Sequence, residues 1–155
     1  MAASLEVEAE HPRFRVLAVI VGCMVDIGSS SVAGLILGMV VGVVLVAQGA
    51  SLPQMQEVLS TSSVVLVGGL FIGTCGSLIG GYVAAWMAGH RELQHALWTG
   101  LLSVTIGICM MVLQAFSPIP LSQPTWLTVT AFALTVPAAV LGGWLRRAVV
   151  RKNRS

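Results

Sequence analysis

Charge is what this chain has least of. Of its 155 residues eight are Lys or Arg and six Asp or Glu, so 9% are charged, against about 25% in an ordinary soluble domain. All of them except Asp26 and Glu57 lie before Val16, after Leu145 or in the pair Arg91–Glu92. Such a set cannot coat a globule in water, which excludes a water-soluble enzyme, a nucleic-acid-binding module and a solvated disordered chain. Cysteine is scarce as well. Cys23, Cys75 and Cys109 each sit inside an apolar run and form no CxxC, so neither a disulfide framework nor a quinone-linked dithiol is expected. The chain has no HExxH, no glycine-rich phosphate loop and no Ser/His/Asp arrangement. No catalytic residue, metal or cofactor is therefore expected, and no enzymatic activity. No base precedes Arg13, and the apolar run that follows is too long for the h-region of a secretory signal, so none is expected.

What is present is apolar. Hydrophobic residues make up 56% of the chain and the mean hydropathy is +0.93. A helix needs about 20 apolar residues to cross the hydrocarbon layer, and four runs qualify. These predict an all-α integral membrane protein, a bundle of four transmembrane helices over about 16–47, 64–88, 97–116 and 126–145. Residues 1–15 form an N-terminal tail, 16–145 the membrane domain and 146–155 a basic tail. The first run holds the polar stretch Asp26-Ile27-Gly28-Ser29-Ser30-Ser31. It is read as one long tilted helix; the alternative lays its first turns on the membrane surface.

The bases set the orientation. Arg13 and Arg15, Arg91, and the group Arg146, Arg147, Arg151, Lys152 and Arg154 all fall on one side if both termini are cytoplasmic. Trp86, Trp98 and Trp144 then lie at inner helix ends and Trp126 at an outer one, the headgroup depth that indoles favour. In the first outer loop, Ser51-Leu52-Pro53-Gln54 has the spacing of a capping box and predicts a short interfacial helix. Pro118, Pro120 and Pro124 predict a stiff extended turn in the second. The short inner connection 89–96 makes the second and third spans antiparallel neighbours.

Small residues recur at helical spacing. The first span carries Gly34, Gly38 and Gly42, a series that runs back through Ser30 and Asp26 to Gly22. The second carries Gly69, Gly73, Ser77, Gly81 and Ala85, with Gly76, Gly80 and Ala84 beside them. The third has Ala96, Gly100, Ser103 and Gly107, and the fourth Ala131, Thr135, Ala139 and Gly143. Such stripes let helices approach in lipid, where no hydrophobic force drives them together. Gly34, Gly38, Gly42, Gly69, Gly73, Gly76 and Gly80 are the expected packing positions, within one chain or between subunits.

Asp26 is the one acid inside a span. A carboxylate at mid-membrane costs roughly 2.5–3.5 kcal/mol on insertion scales, so it faces a partner, water or an ion. Asp26 with Ser29 and Ser30 is either a protonation or ion site, in which a cation competes with the proton, or a structural acid bonded to those serines or to a hydroxyl on another helix. His90, Arg91, Glu92 and His95 cluster in the inner turn, with histidines five apart rather than at ligand spacing. They are read as a solvated turn with an Arg–Glu pair, which His11 could join only by folding back. Met24, Met110 and Met111 are read as packing residues. Each base of the C-terminal tail adds about 1 kcal/mol of attraction to an anionic leaflet, so membrane lipids, with anionic headgroups at that tail, are the expected partners; nucleic acid is not.

The hairpin Gly80-Gly81-Tyr82-Val83-Ala84-Ala85-Trp86-Met87-Ala88-Gly89, followed by Glu92, His95-Ala96 and Gly100, resembles small uncharacterised bacterial four-helix membrane proteins. The resemblance implies a bacterial inner-membrane location and no particular activity. The expected function is a self-associating packing, assembly or accessory subunit, a homo-oligomer or part of a membrane complex. The alternative is a minimal oligomeric transporter or channel with Asp26 as its titrating group. Topology is directly testable: reporters placed at positions 54 and 122 are expected outside and those at 91 and 151 inside, and a terminus found outside overturns the span count.

Overall fold

A computed structural model describes residues 15–116 and 124–152. Its elements are α1 (Val16–Ala47), α2 (Leu52–Thr61), α3 (Ser63–Ala88), α4 (Glu92–Ala115) and α5 (Thr125–Lys152), with no strand among the described residues. All but α2 are long and apolar enough to cross a membrane, so the chain is built as a multi-pass helical membrane protein. Pro118 and Pro120, in the second outer loop, lie outside the described residues, as does His11.

Helix α1 runs without a break through Gly28 and the three serines, because lipid offers the backbone no partner outside its own helix. Its 32 residues span about 48 Å at 1.5 Å per residue, well beyond the hydrocarbon thickness. The first turns contribute Ala18, Val19, Gly22, Cys23 and Asp26 to the bundle interior, so they are packed against the other helices and not laid on a surface. Helix α2 begins where the capping box predicts. The Ser51 N–H donates to Gln54 Oε1 at 2.8 Å, and Pro53 occupies the first turn, where its missing N–H costs nothing. Helix α3 ends at Gly89, whose φ of 68° is the left-handed cap that glycine adopts without strain. Arg91, at φ 47°, completes the reversal, and α4 starts at Glu92, earlier than hydropathy alone places it. Helix α5 continues past the apolar run to Lys152, carrying Arg146, Arg147, Arg151 and Lys152 with it; Arg154 lies outside the described residues.

Helix α3 touches each of the other four, α4 touches α1, α3 and α5, and α1 and α5 do not meet among the described residues. The four spans therefore form a rhomb with α3 and α4 across its short diagonal. Packing is concentrated at one end. Every buried residue of α1 lies at or before Asp26, those of α4 lie between His95 and Gly100, and most of those of α3 and α5 fall in Gly76–Ala88 and Ala138–Gly143. In a bundle of antiparallel neighbours these stretches share the end that carries Arg15, Arg91 and Arg146.

The contacts there involve backbone. A Cβ at Gly22 would lie 2.7 Å from Ala84 Cβ and 2.8 Å from the Gly80 carbonyl oxygen; one at Gly80 would lie 2.6 Å from the Gly22 carbonyl. Gly81 faces the backbone of Ala139, Gly142 faces the carbonyl of Leu78, and Gly143 meets Ala96. Of the expected packing glycines, Gly76 and Gly80 face α1 here. Gly42 meets only the tip of Met55, and Gly34, Gly38, Gly69 and Gly73 have no atom within 4 Å of where a Cβ would stand. Within one chain those four are not packing positions. Beyond Ser30, which still packs on Gly76, these glycines face open space.

This contrast yields a stability prediction. Gly142→Leu, aimed at the α3 backbone, is expected to destabilise the fold by at least the ~1–3 kcal/mol typical of overpacking. Gly28→Leu, which meets nothing within 4 Å, is expected to be tolerated. Thermal unfolding in detergent compares them, and equal behaviour of the two variants would remove the close-packing account.

Candidate functional site: a cavity ending at Asp26

Where the helices diverge they leave an open-sided cavity of about 1100 Å³, reaching from Asp26 to Leu59, Ala115 and Thr125 at the opposite end. All five helices contribute to its wall. Gly34, Gly38, Gly69 and Gly73 line it, which is where their missing side chains leave room. Apolar positions include Leu66, Leu70, Met110, Met111 and Phe132, and hydroxyl or amide positions include Thr74, Ser77, Ser103, Gln114, Thr128 and Thr135. Among the described residues that line it, Asp26 is the one charged group, and no Lys, Arg or His is present.

Asp26 is 5% exposed and sits at the floor, at the boundary between packed and open halves. Ser77 of α3 donates its hydroxyl to Asp26 Oδ1 at 3.0 Å. Ser103 of α4 is also hydrogen-bonded to Asp26, and its Oγ lies 3.4 Å from Cys23 Sγ, so its one proton goes to either neighbour. The carboxylate thus ties three helices together. Its position follows from α1: one turn after Gly22 has brought the helices into contact, Asp26 points at the same face of α3.

Ser29 and Ser30, grouped with Asp26 on sequence spacing, do not bond its carboxylate. The Ser29 hydroxyl donates to the backbone carbonyl of Asp26 at 3.2 Å, the local back-bond that serine makes in helices. Ser30 Oγ presses against Gly76 and is buried with no hydrogen-bond partner among the described residues. Ser30 also lines the cavity, but its hydroxyl is turned into the α1–α3 contact at Gly76. Ser77, Ser103 and Thr135 were visible in the sequence as members of small-residue stripes. Their polar atoms were the signal, read as packing because each helix contributes so few. Met110 and Met111, expected to pack, line the cavity instead.

The inner turn also differs from a solvated one. His95 is fully buried; its Nε2 accepts the Arg15 backbone N–H at 3.1 Å, and its Nδ1 lies 3.1 Å from the Arg91 carbonyl oxygen. Together the two contacts fit the tautomer that carries its proton on Nδ1. The Arg15 guanidinium donates to the Met87 carbonyl at 3.1 Å, and His90 packs edge-on against His95. This latch joins the start of α1 to the α3–α4 turn and closes the basic end. Cys23 is buried, Cys75 half-buried and Cys109 exposed, all as free thiols.

Comparison of the chain with family models, with curated proteins and with solved structures gave no match.

The geometry around Asp26 predicts a graded response. Asp26→Asn keeps an acceptor for Ser77 and is expected to fold with little loss. Asp26→Leu leaves the Ser77 and Ser103 hydroxyls without their acceptor and is expected to cost about 1–3 kcal/mol. Unfolding midpoints in detergent for the two variants measure the difference, and a leucine variant as stable as wild type would mean the carboxylate does not hold the helices.

Proposed function

We propose that the chain is a multi-pass protein of a bacterial inner membrane, with both termini cytoplasmic, that binds a small solute in the cavity and carries it by exchange at Asp26. The observation that supports this most is the cavity itself: about 1100 Å³ of space leading to a carboxylate with no basic counter-ion on its wall. A cavity that stops at a closed, small-residue interface has the form of one access state of a carrier. The closed end is packed largely from Ala and Gly faces, a surface along which helices can shear to open the other side once the His95 latch releases. At Asp26 a proton and a cationic group compete for the same oxygens, which couples occupancy to protonation.

A second reading retains the self-associating scaffold. It is favoured by one feature, the lack of any neighbour at Gly34, Gly38, Gly69 and Gly73, which leaves a groove of helix-packing type for a second copy or another subunit. The two readings differ in whether water or protein fills the space. With Cys23, Cys75 and Cys109 replaced by Ala, Gly73→Cys is expected to react in membranes with a charged, impermeant methanethiosulfonate added on the side opposite Arg91. Protection of that thiol together with disulfide cross-linking between copies would overturn the carrier in favour of the scaffold. In proteoliposomes, Asp26→Asn is expected to abolish pH-dependent flux while preserving the fold.

A further inference from the structure

We infer that the occupant of the cavity is a monovalent organic cation with an apolar body, a protonated amine or an onium ion bearing hydrocarbon or aromatic groups. The inference rests on the carrier reading and names the class of its solute.

Charge narrows the class first. Asp26 is the one charged side chain among the described residues of the wall, and the bases of the bundle lie beyond the closed interface. An anion would enter a low-dielectric space beside a carboxylate with nothing to compensate it, and its burial would be opposed by desolvation and repulsion together. A divalent cation would be left with uncompensated charge by a single carboxylate. A monovalent cation is matched.

Size and surface narrow it further. One inorganic ion could sit among Asp26, Ser77 and Ser103, but it would leave nearly all of the 1100 Å³ unused. Sites for drug-sized molecules run about 300–1000 Å³ and are mainly apolar with a few placed polar groups. The remaining wall has that character: Leu66, Leu70, Phe132 and the pair Met110 and Met111. Methionine adapts to varied shapes and its sulfur is polarisable, and a phenyl ring attracts a nearby cation through its face. A neutral apolar solute would need none of the carboxylate. Only a molecule with one positive centre and a bulky apolar remainder uses both the floor and the walls. The Ser77 hydroxyl, already bonded to the Asp26 carboxylate at 3.0 Å, and Ser103 beside it keep the floor polar around the one charge.

Tetraphenylphosphonium and tetraphenylborate provide the test, because they share shape and apolar surface and differ in the sign of the charge. Binding is measured by equilibrium dialysis to the full chain in nanodiscs of zwitterionic lipid, against empty nanodiscs to remove partitioning. Saturable binding of the phosphonium and none of the borate is expected. Asp26→Asn should weaken the phosphonium by about tenfold or more. If that variant fails to fold, Gly73→Phe fills the cavity from a wall position with open space around it, leaves Asp26 untouched, and should also abolish binding. Equal binding of both ions, or phosphonium binding unchanged by Asp26→Asn, overturns the cation assignment. Absence of phosphonium binding while Gly73→Cys still labels from water overturns it too and leaves the carrier reading standing. Absence of both binding and labelling removes the carrier reading with it.

Discussion

At the crossing of α1 and α3, Gly22 and Gly80 put two helix backbones against each other, each glycine's absent Cβ replaced by the other's carbonyl oxygen at 2.6–2.8 Å from where that Cβ would stand. One turn further on, toward the open end, Asp26 meets Ser77, because the antiparallel helices have not yet separated. Beyond that, α1 has no further buried residue. A side chain at either glycine would push the crossing apart and move the carboxylate out of reach of its hydroxyl. The floor of the cavity, the tie between three helices and the start of the divergence all depend on this one approach.

Lipid makes the approach decisive. Hydrocarbon solvates Leu, Val and Met as well as a protein interior does, so helices hold together only where surfaces fit closely enough for dispersion and hydrogen bonding to favour them over lipid. At the basic end most facing residues are Ala and Gly, with Val19, Cys23, His95 and Thr99 among them, and α3 meets α1 and α5 through backbone atoms. Toward the other end the walls mix Leu, Met and Phe with Gly34, Gly38, Gly69 and Gly73, and nothing stands within 4 Å of where those glycines' Cβ atoms would be. Helix α5 closes the arrangement: Gly142 and Gly143 pack toward α3 and α4 respectively, and α1 and α5, which do not meet, are linked only through that central pair.

The span positions and the α2 start were legible in the sequence because hydropathy and capping are local properties. The uninterrupted α1 followed from the same reasoning, since a polar stretch in lipid is cheaper helical than unwound. Depth was not legible. Small residues repeat at intervals of four over nearly the whole of α1 and α3, and nothing in that repeat says at which turn the helices touch; that depends on the crossing geometry with partners far away in the chain. Gly34 and Gly76 therefore looked alike, and one faces open space while the other faces Ser30. His95 was misread for a related reason. Beside Arg91 and Glu92 it looks solvated, but its environment is set by the Arg15 N–H, 80 positions earlier. The convergence of Ser77, Ser103 and Thr135 escaped because each belongs to a different helix, and a polar surface built from single contributions has no periodicity on any one of them.

The charge on Asp26 is the last point that the architecture has to account for. A post that merely accepted the Ser77 and Ser103 hydroxyls could be an asparagine, whose amide oxygen offers an acceptor in the same place at lower insertion cost. The carboxylate adds a charge that costs roughly 2.5–3.5 kcal/mol at mid-membrane, and two neutral hydroxyls do not cancel it. Two states satisfy such a group: one with a proton on the carboxyl, and one with a cation beside it. Both need a route by which the proton or cation arrives, and the packed end offers none, since backbone contacts and the His95 latch occupy it. The cavity reaches Asp26 from the other end. Its depth, its single charge and the lack of a basic residue on its wall are the features on which the proposed exchange at Asp26 rests.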